Sequence, residues 1–189
     1  MVARDKLKEY ALKIFNGDKD YSLQKVYRLF PKYFLKIAFF YTELVSQKQE
    51  ELTRSMIKSL GIIKAVDMRN TAVELNKEIK KYRNKILQEL EGTDIYEQIF
   101  DSEYDMYVYG EALRLRGLKI LEDLRKKIIL NREALKSVEK TAQKYRYNDI
   151  FTEASAYIIK NEEIFWQVAL AMKENRERRE RYYQYYENL

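Results

Sequence analysis

Residues 31–63 read PKYFLKIAFFYTELVSQKQEELTRSMIKSLGII. Phe34, Ile37, Ala38, Tyr41, Leu44, Val45, Leu52, Met56, Leu60 and Ile63 keep to one face of an α-helix through this stretch, a stripe of about eight turns at 3.6 residues per turn. Pro31 is the only proline in the chain. It fits the first position of this helix, where a missing N–H costs nothing. Gly61 either kinks the helix or ends it, because a lone interior glycine costs only ~1 kcal/mol.

Upstream, Leu7, Ala11, Ile14 and Phe15 place a helix over about Arg4–Phe15, closed by Asn16-Gly17, both of which tolerate a left-handed cap. Asp20 or Ser22 caps a short helix carrying Leu23, Val26, Tyr27 and Phe30. Downstream, the stripe resumes through Val66, Val73, Ile79, Tyr82, Ile86 and Leu90, with Gly92 as the stop. A short helix over about Asp94–Phe100 follows. Ser102 with Asp105 then caps a helix from Glu103 to about Leu130, and Asn131 breaks it. Ala134, Leu135, Val138, Ala142 and Tyr145 form a further helix. Asn148 caps the last one, which carries Ile150, Phe151, Ala154, Tyr157 and Ile158 and continues through Phe165, Val168, Ala169 and Met172.

No run alternates with period two for long enough to form a strand. The expected fold class is all-α: a bundle of long antiparallel helices forming one domain over 1–189, with a subdivision at 92/93. A helix-pair repeat-like C-terminal half and an extended C-terminal helix are the finer expectation. The pair Arg132–Tyr145 and Asp149–Lys160 is similar to a tetratricopeptide-type unit in size and in its Ala and Tyr placement. It lacks that repeat's Trp, Gly and Pro signature and has no second copy, so it assigns no family.

The chain has no cysteine and no histidine. The first absence removes disulfides and thiolate metal sites. The second removes the commonest general base and zinc ligand. Only Lys, Tyr, Ser and carboxylate chemistry is left, no local motif assembles it, and the chain reads as a non-enzyme without a cofactor. The N-terminus, MVARDKLKEYALKIF, is charged from the start and does not read as a signal peptide, and no apolar run is long enough to span a bilayer. The expected location is the cytoplasm, or a particle assembled there.

Charge is segregated. Thr93–Ala112 holds six acidic and no basic residues, whereas Leu113–Asn148 holds 11 basic and four acidic ones. These blocks read either as solvated faces of neighbouring helices or as complementary patches that meet head to tail between copies. Asp101, Glu103 and Asp105 alternate like the start of a calcium loop. Met106 and Ala112 stand where that loop needs glycine and a bidentate carboxylate, so an acidic helix start is the better account and no metal is expected.

Two basic clusters carry the nucleic-acid alternative: Lys80, Lys81, Arg83 and Lys85, and Arg125, Lys126 and Lys127. A third group is Lys140, Lys144 and Arg146. Interleaved tyrosines add stacking surface, but no nucleic-acid-binding signature accompanies them. The C-terminus is unusual in a different way. ENRERRER at 174–181 carries i,i+4 Glu–Arg pairs, and Tyr182, Tyr183, Tyr185 and Tyr186 follow. Four tyrosines in five residues cannot share one helix face, and tyrosine is enriched at interfaces. Tyr27, Phe34, Phe39, Phe40, Phe151 and Phe165 read as core, while Trp166, the only tryptophan, reads as an anchor of either core or interface.

The expected role is therefore a structural or adaptor subunit acting through protein–protein contacts, as a homo-oligomer or in a larger complex. A connector-like ring protein of a viral or phage particle is one form of it. The expected interface residues are Trp166, Tyr182, Tyr183, Tyr185, Tyr186, Asp101, Glu103 and Asp105.

Overall fold

The computed structural model describes residues 4–30, 33–90 and 103–188. Within these, residues 103–114 and Tyr182, Tyr183, Tyr185 and Tyr186 are described by their helical backbone alone. Six helices are present among the described residues: α1 Arg4–Phe15, α2 Leu23–Leu29, α3 Phe34–Leu60, α4 Val66–Leu90, α5 Glu103–Lys144 and α6 Asn148–Glu187. They hold no strand, and the chain is an all-α helical bundle. The expectations at Pro31, Gly92, Asp94–Phe100 and Ser102 lie outside the described residues.

From Phe34 to Thr42 every residue except Lys36 is buried. A helix apolar all round must be covered on every side, and α3 accordingly lies at the centre. It runs antiparallel to α4, with Arg83 on Glu43 and Gln49 on Asn76. It runs parallel to α5, with Lys127 beside Thr42 and Asn131 beside Ser46. It is antiparallel to α6, where Tyr41 Oη donates to the Lys160 carbonyl at 3.3 Å. The order α3–α4–α5–α6 is thus up-down-up-down. The first two helices close the remaining side. Phe15 stacks on Tyr157 and meets Tyr41 edge-on, and Tyr27 packs edge-on against Phe34. Each fully buried side chain of this kind contributes roughly 1.5–3 kcal/mol.

Helix ends follow from local chemistry. The Ser22 hydroxyl accepts from the Lys25 N–H at 3.1 Å and caps α2. Two helices end in the same motif of paired bonds. After α1, Gly17 N–H bonds the Ile14 carbonyl and Asp18 N–H bonds Lys13, with Gly17 at φ 79°. After α5, Arg146 N–H bonds Gln143 and Tyr147 N–H bonds Ala142, with Arg146 at φ 62°. Gly61 ends α3 at φ 82° and ψ 160°, so it is a stop and not a kink.

Three expectations need correction. Asn131 does not break a helix, because α5 runs unbroken from Glu103 to Lys144. Its side chain is buried and accepts from Ser46 Oγ at 2.9 Å, so the amide's polar atoms find partners across the bundle and not in its own backbone. The stretches at Arg132–Tyr145 and Asp149–Lys160 are consequently the turn end of one long α5–α6 hairpin. Ile63, Val66 and Val73, placed on the buried stripe, are exposed, since Ile63 falls in the turn after Gly61 and α4 buries Met68, Ala72, Ile79, Ile86 and Leu90 instead.

Candidate functional site

The outer face of α6 exposes the chain's one tryptophan together with two aliphatic side chains. Taken every fourth and third residue in alternation, Thr152, Ala156, Ile159, Glu163, Trp166, Leu170, Lys173 and Glu177 are all exposed. Ile159 is 62% exposed, Trp166 67% and Leu170 40%. Any outward line on a helix keeps this spacing. The content is what differs: Trp166 and Leu170 are neighbours on this line, Ile159 lies one turn beyond Glu163, and Glu163, Lys173 and Glu177 supply its charge. Single exposed apolar residues are ordinary, while an exposed indole beside a leucine and within two turns of an isoleucine is more apolar surface than a solvated face needs.

The inner side of α6 explains why this face stays outside. Ala154, Asn161, Ile164, Val168, Ala171 and Met172 are buried against the bundle. Asn161 Nδ2 donates to the Ile128 carbonyl at 2.8 Å, and Lys160 Nζ reaches the Phe15 carbonyl. Phe165, beside Trp166, is held under the Arg132 guanidinium at 4.7 Å, and Arg132 in turn pairs with Glu162. Trp166 meets Phe165 edge-on, its rings 5.6 Å apart at their centres, so the exposed indole has a fixed footing.

A second arrangement lies between α3, α4 and α5. Lys127 is fully buried, its ammonium donating to Thr42 Oγ1 at 2.9 Å and to Glu43, with the Phe39 ring 4.8 Å away. Burial pushes this ammonium down to about 8, against the opposing pull of Glu43. Burial alone would raise the Glu43 carboxyl, but Lys127 and Arg83 hold it below its ordinary value. Arg83 Nε approaches Glu43 at 2.7 Å from outside. A shallow cleft of about 220 Å³ opens beside the pair, with Arg4, Lys8, Phe40 and Leu44 among its walls.

These contacts divide the expected nucleic-acid residues. Lys127 is not available to a phosphate, because its phase on α5 turns it into the bundle, where Glu43 holds it. Arg83 is half exposed and also committed to Glu43. Lys80, Lys81, Lys85, Arg125 and Lys126 are exposed. Lys85 and Lys126, from α4 and α5, lie 5.1 and 5.5 Å from the Tyr82 ring centre.

Trp166 sits at the centre of the exposed ridge. Tyr182, Tyr183, Tyr185 and Tyr186 belong to the last turns of α6, and Glu103 and Asp105 to the first turn of α5. Their side chains, and Asp101 altogether, lie outside the described residues. Ile159, Leu170 and Glu163 were not among the expected site residues. Their signal was available: from Ile158 to Leu170 the chain carries more apolar residues than one buried face of a helix uses. Among the described residues no group of His, Cys, Asp or Glu side chains forms a metal site, and no helix is long and apolar enough to cross a membrane. No protein-family model, curated protein or solved structure matches this chain.

Proposed function

We infer that the chain is a non-enzymatic assembly or adaptor subunit that docks protein on the outer face of α6. The exposed Ile159–Trp166–Leu170 line carries this reading. Tryptophan buries a large area at little entropic cost and is the residue type most enriched among interface anchors. The fate of Lys127 supports a non-catalytic role: a depressed lysine is what a nucleophile needs, but this ammonium is sealed and spent on Thr42 and Glu43.

As Trp166 is the only tryptophan, its fluorescence reports on this face alone. Acrylamide should quench it efficiently in dilute chain and poorly in the complex isolated from the cells that make the protein. Equal quenching in every assembly that contains the chain overturns the reading.

A second reading, nucleic-acid binding on the α4–α5 ridge, is favoured by one observation, the convergence of Lys85 and Lys126 on Tyr82. It predicts oligonucleotide affinity that falls steeply with salt and with Lys85→Ala/Lys126→Ala. Absence of binding at low salt removes it.

A further inference from the structure

The α6 ridge has a charge order that selects one partner. We propose that it pairs with a second copy of itself, antiparallel, about a two-fold axis that crosses the outer face midway between Trp166 and Leu170. This rests on the reading of the face as a protein interface and names its occupant.

The alternating steps of four and three along Thr152–Glu177 are the spacing an antiparallel helix pair would use as its seam, each position facing a different seam position of the partner, and the order of charges along the line sets the register. With the axis there, Trp166 of one copy lies on Leu170 of the other, twice by symmetry. The next layer outward puts Glu163 on Lys173, again twice. Beyond it, Ile159 lies against the methylenes of Glu177. The result is a four-residue apolar centre closed at both ends by opposite charges.

Other arrangements are worse on the same residues. In a parallel pair each residue faces its own copy, so Glu163 meets Glu163 and Lys173 meets Lys173. Shifting the antiparallel pair by one heptad puts Glu163 on Trp166 in one direction and on Glu180 in the other. Both buried-carboxylate and like-charge layers are costly. Lys173 gives up little to pair this way: it and Glu177 are 3.9 Å apart on an exposed helix face, with side chains 71% and 52% exposed, a pair of the kind that contributes little. The pairing is isologous and closes at two copies, unlike the head-to-tail contact that the acidic and basic blocks of the sequence suggest.

The test is sedimentation equilibrium of the full chain in low salt, up to roughly 200 μM so that micromolar association is visible. The mass should rise from 22.9 kDa toward twice that value, with Trp166 emission moving to the blue over the same range. Trp166→Ala should weaken association by roughly 30-fold or more, as for a central anchor. Glu163→Lys and Lys173→Glu should each abolish it, and the doubly exchanged chain should recover it. These residues are exposed, so unchanged helical circular dichroism and melting confirm that each variant folds. A chain that stays at 22.9 kDa throughout, or a dimer indifferent to the charge exchange, overturns the proposal. If the lone chain is monomeric and Trp166 is shielded only in the natural complex, self-pairing fails while the interface reading stands. If Trp166 stays quenchable everywhere, both fail.

Discussion

The Lys127 ammonium on α5 and the Glu43 carboxylate on α3 meet inside the bundle, the lysine without solvent contact and the carboxylate closed from outside by Arg83. Their energetic roles are unequal. Removing the carboxylate leaves a sealed charge without its counter-ion, whereas removing the lysine leaves a carboxylate that still has Arg83 and water.

Glu43→Gln should therefore destabilise the fold by roughly 3–5 kcal/mol. Lys127→Met, similar in volume and apolar, should stay within about 1 kcal/mol of the parent. The double variant Glu43→Gln/Lys127→Met should recover most of the loss. Urea unfolding at pH 7 measures all three, and Arg83→Ala, at a half-exposed position, should cost no more than ~1 kcal/mol.

The same lysine makes stability depend on alkaline pH. Its folded value, about 8, lies below the ordinary 10.5, so between these the unfolded chain binds more protons. Stability from this group is least below pH 8 and rises as pH climbs toward 10.5. Relative to Lys127→Met, the parent should thus gain stability across that window. Taking the difference cancels Tyr27 and Tyr41, whose hydroxyls burial pushes up and whose contribution is lost above pH 10. Unfolding midpoints of both chains from pH 7 to 10 check the sign, and a constant gap refutes it.

The two matching helix ends predict opposite responses. Gly17→Ala forces a side chain into the left-handed region and should cost about 1 kcal/mol. Arg146→Gly relieves the same strain and should stabilise by up to ~1 kcal/mol. Gly61 sits at a φ and ψ that only glycine adopts readily. A Cβ there meets nothing within 4 Å, so the expected loss of about 1–3 kcal/mol in Gly61→Ala is backbone strain alone. Thermal melts of the three variants separate these cases.

Asn131 accepts from Ser46 and donates toward the Thr42 carbonyl. Asn131→Ala should cost roughly 1–3 kcal/mol by leaving polar atoms of α3 without partners. Asn131→Asp should cost more at pH 7 than at pH 4, because the ionised carboxylate is buried with one oxygen against the Thr42 carbonyl, whereas the protonated acid can still donate there. Denaturant titrations at the two pH values provide the comparison.

Much of the fold was legible because caps and stripes are local. Arg4–Phe15 and Ser22 mark boundaries by their own backbone chemistry, and the stripe from Phe34 needs no knowledge of its partners. Gly61 stood open between kink and stop, and Asn148, read as a cap, is the first residue of α6, with Tyr147 at the cap position. Asn131 was misread for the complementary reason: its preference for breaking helices is local, and the partners that overrule it stand 85 and 89 positions away in α3. Lys127 shows the same limit. Arg125, Lys126 and Lys127 form one run in the chain, yet successive residues on a helix point about 100° apart, and the helix phase that buries one of them is set by neighbouring helices. The α6 ridge was half legible. Trp166 stood out by type and the surplus of apolar residues from Ile158 to Leu170 was readable, but which of them stay outside is set only when α5 and the N-terminal helices claim the other sides.

The line Thr42, Ser46, Gln49 and Thr53 along buried α3, answered by Lys127 and Asn131 from α5 and Asn76 from α4, fixes the helices lengthwise. A slide of α3 by one turn would set Lys127 against Ser46 and strand Glu43, so these polar contacts act as detents where a greasy interface would creep. α6 inherits that fixity through its bonds to α3 and α5, and whatever meets its outer face meets a stiff rail. Little motion would be left to lose on contact, so under the proposed pairing a narrow row of side chains suffices where a floppier helix of the same sequence would release its partner.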